Sequence, residues 1–243
     1  MAETAGILLP FFGTALGAAA VFFLRGTANA AGNRALSGVA AGIMVAACVF
    51  SLLLPALAQG GLAQTALGFL PGELFLFAAD RSAGKLRLRR FSRTEKTALA
   101  VTVHNLPEGM AVGAALAAWR MSGQEAALGG ALALALGIAV QNVPEGAVVS
   151  LPMAAEGMPR CRAFLWGVLS GAVEPAGALL ILLTAGRFAR LLPCLLSFAA
   201  GAMFSVVVEE LVPEMAAGDQ RSPAGLWFAL GFVGMMALDV ALG

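Results

Sequence analysis

The sequence predicts an all-α membrane protein with eight transmembrane helices. Its 243 residues are 60% hydrophobic and only 12% charged, and the mean hydropathy is +0.87, whereas soluble proteins carry about 25% charged residues. A transmembrane β-barrel would show short segments of alternating polarity, but the apolar runs here are continuous. Runs near the length of about 20 residues that a spanning helix needs form a single transmembrane domain over residues 1–243: 6–24, 34–57, 62–80, 97–119, 126–153, 163–186, 191–212 and 223–242.

The positive charges predict how the chain lies in the membrane. Twelve of the 15 Lys and Arg residues fall in odd-numbered connections between the runs, and cytoplasmic loops collect such residues. With eight spans, both termini then lie on the non-cytoplasmic side of the cell membrane. The third connection, residues 81–96, carries seven of these charges and is predicted to be a basic cytoplasmic loop. A net charge of +1 gives no sign of a nucleic-acid partner.

Two near copies of one polar motif interrupt the fourth and fifth runs. Residues 104–109 read HNLPEG, and residues 141–146 read QNVPEG. Helical residues at i, i+1 and i+4 point towards one sector, so each helix presents its polar side chains together. The proline removes a backbone donor, which is tolerated at membrane depth where a helix lines a polar cavity. The motifs predict a shared site formed by His104, Asn105, Glu108, Gln141, Asn142 and Glu145.

A third acid in the membrane, Glu174, lies in the sixth run beside Pro175. Each charged side chain at the centre of a spanning helix costs about 3 kcal/mol, and runs four, five and six contain no Lys or Arg. A divalent cation would supply the missing charge, since imidazole, carboxylate and amide ligands suit zinc, iron, manganese or cadmium. Protonation of the carboxylates is the alternative remedy.

Other candidate residues allow two interpretations each. Glu209 and Glu210 end the seventh run, where they could receive a departing ion or form a solvated helix end. Met44 could present its thioether to the site, or it could serve as apolar packing. Glu73 and Asp239 are isolated acids without an assigned role. The three cysteines form no CxxC pair, which favours packing over a thiolate metal cluster.

The paired motifs, together with the VEP of residues 173–175, resemble the signature of the ZIP (Zrt/Irt-like) family of zinc and iron transporters. Within that family the chain is similar to the bacterial GufA-like branch. The resemblance extends across all eight runs and includes AGIMVAACVFSLLLPAL at 41–57, AAGAMFSVVVEELVPE at 199–214 and MMALDVALG at 235–243. It implies a 3+2+3 inverted-repeat bundle, a homodimer and a carrier that moves divalent metal ions towards the cytoplasm by alternating access.

The resemblance also implies a binuclear metal centre for the transported ion, Zn2+ first and Cd2+, Fe2+ or Mn2+ as further substrates. Its first site would use His104, Glu108, Gln141, Glu145 and Met44. Its second site would use Asn105, Glu108, Asn142, Glu145 and Glu174, so that Glu108 and Glu145 bridge the two ions. The chain departs from the family pattern because residues 81–96 contain no histidine, and because Glu209 stands where some members have histidine.

Two other functional classes fit some of these features. An intramembrane metal-dependent hydrolase would use a glutamate to activate metal-bound water, although the chain contains no HExxH motif. A proton-conducting or purely structural bundle would keep its carboxylates protonated and would not need a metal. Metal-dependent cleavage of a membrane peptide would support the first class, and failure to bind metal would support the second.

Overall fold

The computed structural model describes residues 1–23, 30–85, 93–187, 189–217 and 223–242, and these residues are almost entirely helical. The prediction of an all-α membrane protein is confirmed in this form. The α-helices are α1 (Ala2–Ala18), α2 (Ala20–Phe23), α3 (Ala30–Ala46), α4 (Leu54–Lys85), α5 (Arg93–Ser122), α6 (Glu125–Ala155), α7 (Arg160–Gly171), α8 (Val173–Arg187), α9 (Leu192–Val206), α10 (Val212–Ala216) and α11 (Ala224–Leu242).

Within the described residues, six helical segments are long and apolar enough to cross a membrane, so the predicted number of eight is not confirmed. Two of the predicted spans, 34–57 and 62–80, fall in one segment of 45 residues, Arg34–Ala78. The predicted span 97–119 lies in α5, which is not among the six because its polar site residues dilute its apolar character. The six segments are Ala2–Phe23, Arg34–Ala78, Glu125–Ala155, Arg160–Ala185, Leu192–Ala216 and Ala224–Leu242.

Gly61 interrupts the helical geometry inside the 45-residue segment. Its backbone angles are φ 65° and ψ −179°, a conformation that glycine adopts without the steric cost other residues incur. Gly61 falls in the gap between the two spans predicted from hydropathy. Further along, α4 continues to Lys85 and α5 begins at Arg93, so the helices reach into the predicted 81–96 loop and residues 86–92 lie outside the described residues.

The helices pack as two groups. The site group consists of α1, α5, α6, α7 and α8, in which α1 packs along α6 and α5 packs along α8. The flanking group consists of α3, α4, α9 and α11, in which α3 packs along α11 and α4 packs along α9. Contacts between the groups run mainly from α5 to α9 and from α6 to α11.

Glycine brings the helices of each main pair into close contact. A Cβ atom on any of these glycines would overlap a backbone carbonyl oxygen of the partner helix. Small residues allow such close approach in a bilayer, where packing rather than water exclusion holds helices together. The contacts are Gly17 with Val143, Gly109 with Glu174, Gly42 with Phe228 and Gly72 with Phe198.

Two helices of the flanking group continue into π-helical turns: Ala47–Leu53 follows α3, and Val207–Leu211 follows α9. Each turn ends two residues before a proline, Pro55 or Pro213. Proline cannot donate to the carbonyl four residues earlier, and those carbonyls belong to Ser51 and Glu209, inside the π-helical turns. Single π-helical turns are frequent at functional sites, and both of these border a cavity between the two helix groups.

Candidate metal site

The two polar motifs face each other across the contact between α5 and α6. His104, Asn105 and Glu108 of α5 are buried, with exposed fractions of 6%, 0% and 1%. Both helices continue through the proline of their motif without a break. On α6, Gln141 and Asn142 are buried and Glu145 is half-buried. Two long helices of the site group therefore hold the site.

A direct hydrogen bond links the motifs. The Nε2 atom of Gln141 donates to Oε1 of Glu108 over 2.6 Å. Asn142 lies beside both Glu108 and Glu174, although neither its Oδ1 nor its Nδ2 makes a hydrogen bond of ordinary geometry. The first two residues of the second motif, Gln141 and Asn142, are thus neighbours of Glu108 in the first motif.

Glu174 enters the site from the beginning of α8. The α-helical hydrogen-bond pattern is interrupted between α7 and α8 at Ala172, although the backbone there keeps helical angles. Pro175 then occupies the first turn of α8, where its missing N–H has no helical partner to lose. Close contact between Gly109 and the Glu174 backbone brings α8 against the α5 motif. The Glu174 side chain is fully buried, and Oγ1 of Thr14 on α1 donates to its Oε1 atom over 2.7 Å.

Several buried polar atoms of this site have no hydrogen-bond partner. Most buried polar groups in proteins are paired, so such a concentration calls for an ion or water. The unpaired atoms are mainly oxygens, and oxygens of carboxylates and amides are ligands for divalent cations. The atoms are Asn105 Oδ1, Glu108 Oε2, Gln141 Oε1, Asn142 Oδ1 and Nδ2, and Glu174 Oε2.

The ligands do not form a closed coordination shell. Among the described residues, no group of three or more His, Cys, Asp or Glu side chains has the arrangement of a metal site. Amide side chains from Asn and Gln provide much of the oxygen at this position, and the three carboxylates come from three different helices. The structure therefore shows an open set of candidate ligands around the α5–α6 contact.

A cavity of about 240 Å³ leads from one end of the helix bundle to the first of these ligands. On its wall, Nε2 of His104 lies 2.9 Å from Oε1 of Glu210, which joins α5 to the π-helical turn of the flanking group. Glu214, one helical turn beyond Glu210, also lines the cavity but was not predicted as a site residue. The sequence could have indicated Glu214, because it follows Glu210 by four residues and so lies on the same side of a helix. The cavity is lined by Leu36, Ser37, Ala40, Val101, His104, Gln141, Pro144, Glu145, Val148, Val206, Glu210, Leu211 and Glu214.

A second cavity of about 260 Å³ lies at the opposite end of the same interface between the groups. Asp239 lines it and accepts a hydrogen bond of 2.9 Å from Oγ of Ser51 in the other π-helical turn. Gln59 and Gln124 add polar surface. Asp239 is therefore not an isolated acid but shares a cavity with several other polar side chains.

The remaining candidate residues are Met44, Glu73 and the three cysteines. Met44 is fully buried in the apolar core and lines neither of the two cavities. Glu73 lies on α4 beside Ser205 and near Glu209, within the flanking group. The three cysteines are free: Cys48 is buried, Cys161 is exposed, and Cys194 is intermediate.

Comparison with known proteins identifies the family. A family model described as ZIP zinc transporter matches residues 97–239, more than half of the chain. The chain belongs to the ZIP family. The range matched by the ZIP model includes both polar motifs, Glu174, Glu210 and Asp239, and the membrane helices and this family together establish a multi-pass membrane protein.

Individual relatives extend this ZIP similarity beyond the matched range. The chain is 38% identical over 256 residues to zinc transporter ZIPB of Bordetella bronchiseptica, which covers 96% of the chain and 79% of the relative. It is 39% identical over 145 residues to zinc transporter GufA of Myxococcus xanthus, covering 60% of the chain and 54% of the relative. It is 45% identical over 145 residues to zinc transporter ZIP11 of Xenopus tropicalis, covering 60% and 43%. The chain thus matches about half the length of the last two relatives, and the predicted GufA-like branch is confirmed.

Proposed function

We propose that this ZIP protein carries divalent transition metal ions, zinc foremost, across the cell membrane towards the cytoplasm. The observation that carries the proposal is the set of unpaired, buried ligand atoms on α5, α6 and α8. A cation would pair these atoms and neutralise the nearby carboxylates, whose burial without compensation is costly. Membership of a family whose relatives are named zinc transporters supports metal as the cargo.

We assign the ions to two adjacent positions. His104, Glu108, Gln141 and Glu145 bind the first, with Met44 as an additional ligand from the flanking group. Asn105, Asn142 and Glu174 bind the second, and Glu108 and Glu145 bridge both ions. The contact between Gln141 and Glu108, and the position of Asn142 beside Glu108 and Glu174, support this grouping.

The transport path runs between the two helix groups. The Asp239 cavity and the Glu210 cavity lie at opposite ends of their interface, and buried apolar residues such as Leu134 and Ile138 fill the space between. Ions enter at Asp239, bind at the motifs and leave past Glu210 and Glu214. Movement of the site group against the flanking group would expose the ligands to each side in turn, which is alternating access.

The helix pairing supports eight crossings in a 3+2+3 arrangement. At about 1.5 Å per residue, the 45-residue segment is about 68 Å long, whereas one crossing takes about 30 Å. Dividing this segment at Gly61 and counting α5 gives eight spans. Spans 1 and 5 pair as spans 6 and 4 do, and spans 2 and 8 pair as spans 7 and 3 do, which is the pattern of an inverted repeat. We further propose that the protein forms a homodimer, as the family resemblance implies.

Uptake by proteoliposomes tests this function. Parent protein should take up Zn2+ and Cd2+ with saturation. Glu145→Ala or His104→Ala should reduce the uptake rate at least about tenfold, since mutation of even the hydrogen-bond partners of metal ligands lowers affinity or activity by about this factor. Glu125→Ala is the control, because Glu125 is exposed at the beginning of α6. No uptake by folded parent protein would reject the proposal, and metal-dependent cleavage of membrane peptides by the same preparation would favour the hydrolase.

A further inference from the structure

A buried hydroxyl group from α1 contacts the site from outside both motifs. Thr14 is fully buried, and its Oγ1 atom lies 2.7 Å from Oε1 of Glu174. The same oxygen lies 3.5 Å from the carbonyl oxygen of Pro10, a longer contact within its own helix. Glu174 therefore has one carboxylate oxygen occupied by Thr14, while its other oxygen, Oε2, is buried and unpaired.

The surrounding packing fixes the position of this hydroxyl group. A Cβ atom on Gly146, the last residue of the second motif, would overlap the carbonyl oxygen of Thr14. A Cβ atom on Gly171 would lie 2.8 Å from Cβ of Thr14, 2.9 Å from its Cγ2 and 3.1 Å from Oε1 of Glu174. Thr14 thus sits between α6 and the turn that precedes α8, in close contact with both.

Building on the proposed function, we propose that Thr14 is a positioning residue that makes Glu174 a one-oxygen ligand and so determines metal selectivity. Because Thr14 already donates to Oε1, the unpaired Oε2 is the oxygen that an ion can bind without competing with the hydroxyl group. Carboxylates can bind metals through one oxygen or through both, and large cations with high coordination numbers use the second mode. Zn2+ prefers four ligands, and the larger Cd2+ accepts more. Thr14 therefore disfavours Cd2+ relative to Zn2+.

The test compares Thr14→Val, which keeps the shape of the side chain and removes the hydroxyl group, with Thr14→Ser, which keeps the hydroxyl group. Initial uptake rates of Zn2+ and Cd2+ are measured over a range of concentrations in proteoliposomes, and KM and maximal rate are obtained for each ion. Thr65→Val is the matched control, because buried Thr65 on α4 likewise bonds the carbonyl four residues earlier, at 2.9 Å, but lies in the flanking group.

We expect Thr14→Val to lower the KM for Cd2+ relative to the KM for Zn2+ by about tenfold. A change of this size corresponds to the loss of one hydrogen bond to a charged group. Thr14→Ser and Thr65→Val should keep the parent ratio. In a Glu174→Ala background, Thr14→Val should add no further shift, because the group that it positions is gone. A general loss of folding would instead lower the maximal rates of both ions together.

An unchanged ratio in Thr14→Val, or an equal shift in Thr14→Ser, overturns the inference. If Thr14→Val does not fold, as judged by thermal unfolding in detergent, Thr14→Ala replaces it as the variant without the hydroxyl group. The same shift in the KM ratio is then expected of Thr14→Ala. Absence of uptake by the parent rejects the proposed function itself. Parent uptake combined with an unchanged ratio rejects only the role of Thr14.

Discussion

At the scale of single residues, Asn105 and Asn142 occupy the same motif position but have different surroundings. Both are fully buried. Nδ2 of Asn105 donates to the carbonyl oxygen of Ser170 over 3.1 Å, whereas neither polar atom of Asn142 makes a hydrogen bond of ordinary geometry, although its amide lies beside Glu108 and Glu174. An unpaired buried amide reduces stability, and a paired one increases it. Burial of the Asn142 amide thus lowers the stability of the protein, and a bound ion would offset this loss.

We predict that Asn142→Leu leaves the metal-free protein at least as stable as the parent, because it removes a buried amide without a hydrogen bond of ordinary geometry, and such burial costs about 1–3 kcal/mol. The same variant should lose most of the thermal stabilisation that Zn2+ gives to the parent, since ligand binding raises stability only while the ligand binds. Thermal unfolding in detergent, with and without Zn2+, measures both effects.

Asn105→Leu is the matched control and should be less stable than the parent by about 1 kcal/mol without metal, because it loses the bond to Ser170. A metal-free Asn142→Leu protein that unfolds well below Asn105→Leu would mean that Asn142 has a structural partner instead. Undiminished stabilisation by Zn2+ in Asn142→Leu would remove Asn142 from the proposed ligands.

The two motifs could be singled out from the sequence because each is a local pattern. Repeated spacing places the polar side chains of each motif on one side of its helix, and the resemblance groups Glu108 with Gln141, which share a hydrogen bond in the structure. Thr14 could not be predicted in this way. It is one hydroxyl group in an apolar run, and its partner is 160 positions away, so only the packing of α1 reveals its role. Metal ligation by these residues stays a prediction.

At the scale of helices, glycine decides which pairs approach closely. Gly109 and Gly177 lie on opposite sides of the α5–α8 contact, and a Cβ atom on either would lie within 3 Å of backbone atoms of the partner helix. Backbone cannot give way as a flexible side chain can. The position of Glu174 in the site therefore depends on a residue that has no side chain.

We predict that Gly109→Ala destabilises the protein and reduces metal uptake, because α8 must move away from the α5 motif. Gly234→Ala in α11 is the matched control, since no neighbouring atom lies within 4 Å of the added methyl group. Alanine favours a helix over glycine by about 0.5–1 kcal/mol, so Gly234→Ala should unfold at or above the parent temperature. Thermal unfolding in detergent measures both, and equal stability of the two variants would contradict the proposed role of the α5–α8 contact.

Hydropathy predicted the helices more reliably than it predicted their number and ends. The gap between the second and third predicted spans coincides with Gly61, the point at which helical geometry is lost. In contrast, α4 and α5 extend into the predicted 81–96 loop, because polar residues can continue a helix beyond the apolar part of a span. The π-helical turns at Ala47–Leu53 and Val207–Leu211 have no hydropathy signal, since they depend on the local effect of a following proline.

At the scale of the whole molecule, the two cavities give the bundle two chemically different ends. Arg120 at the end of α5 pairs with Glu3 at the beginning of α1 over 2.6 Å, which places the N-terminus at the end that holds the Asp239 cavity. Cys161, exposed at the beginning of α7, belongs to a connection that the charge distribution assigns to the cytoplasm. Ser122, at the end of α5, lines the Asp239 cavity.

We predict that a membrane-impermeant maleimide labels Ser122→Cys in intact cells but does not label Cys161 until the cells are opened. Each thiol is examined alone: Cys161 in a Cys194→Ala background, and Ser122→Cys in a Cys161→Ala, Cys194→Ala background, with buried Cys48 retained in both. The reason is the excess of Lys and Arg in the odd-numbered connections, which keeps those connections inside. Labelling of Cys161 in intact cells, with Ser122→Cys protected, would mean that the bundle has the opposite orientation in the membrane. The Glu210 cavity would then be the entrance for the ion.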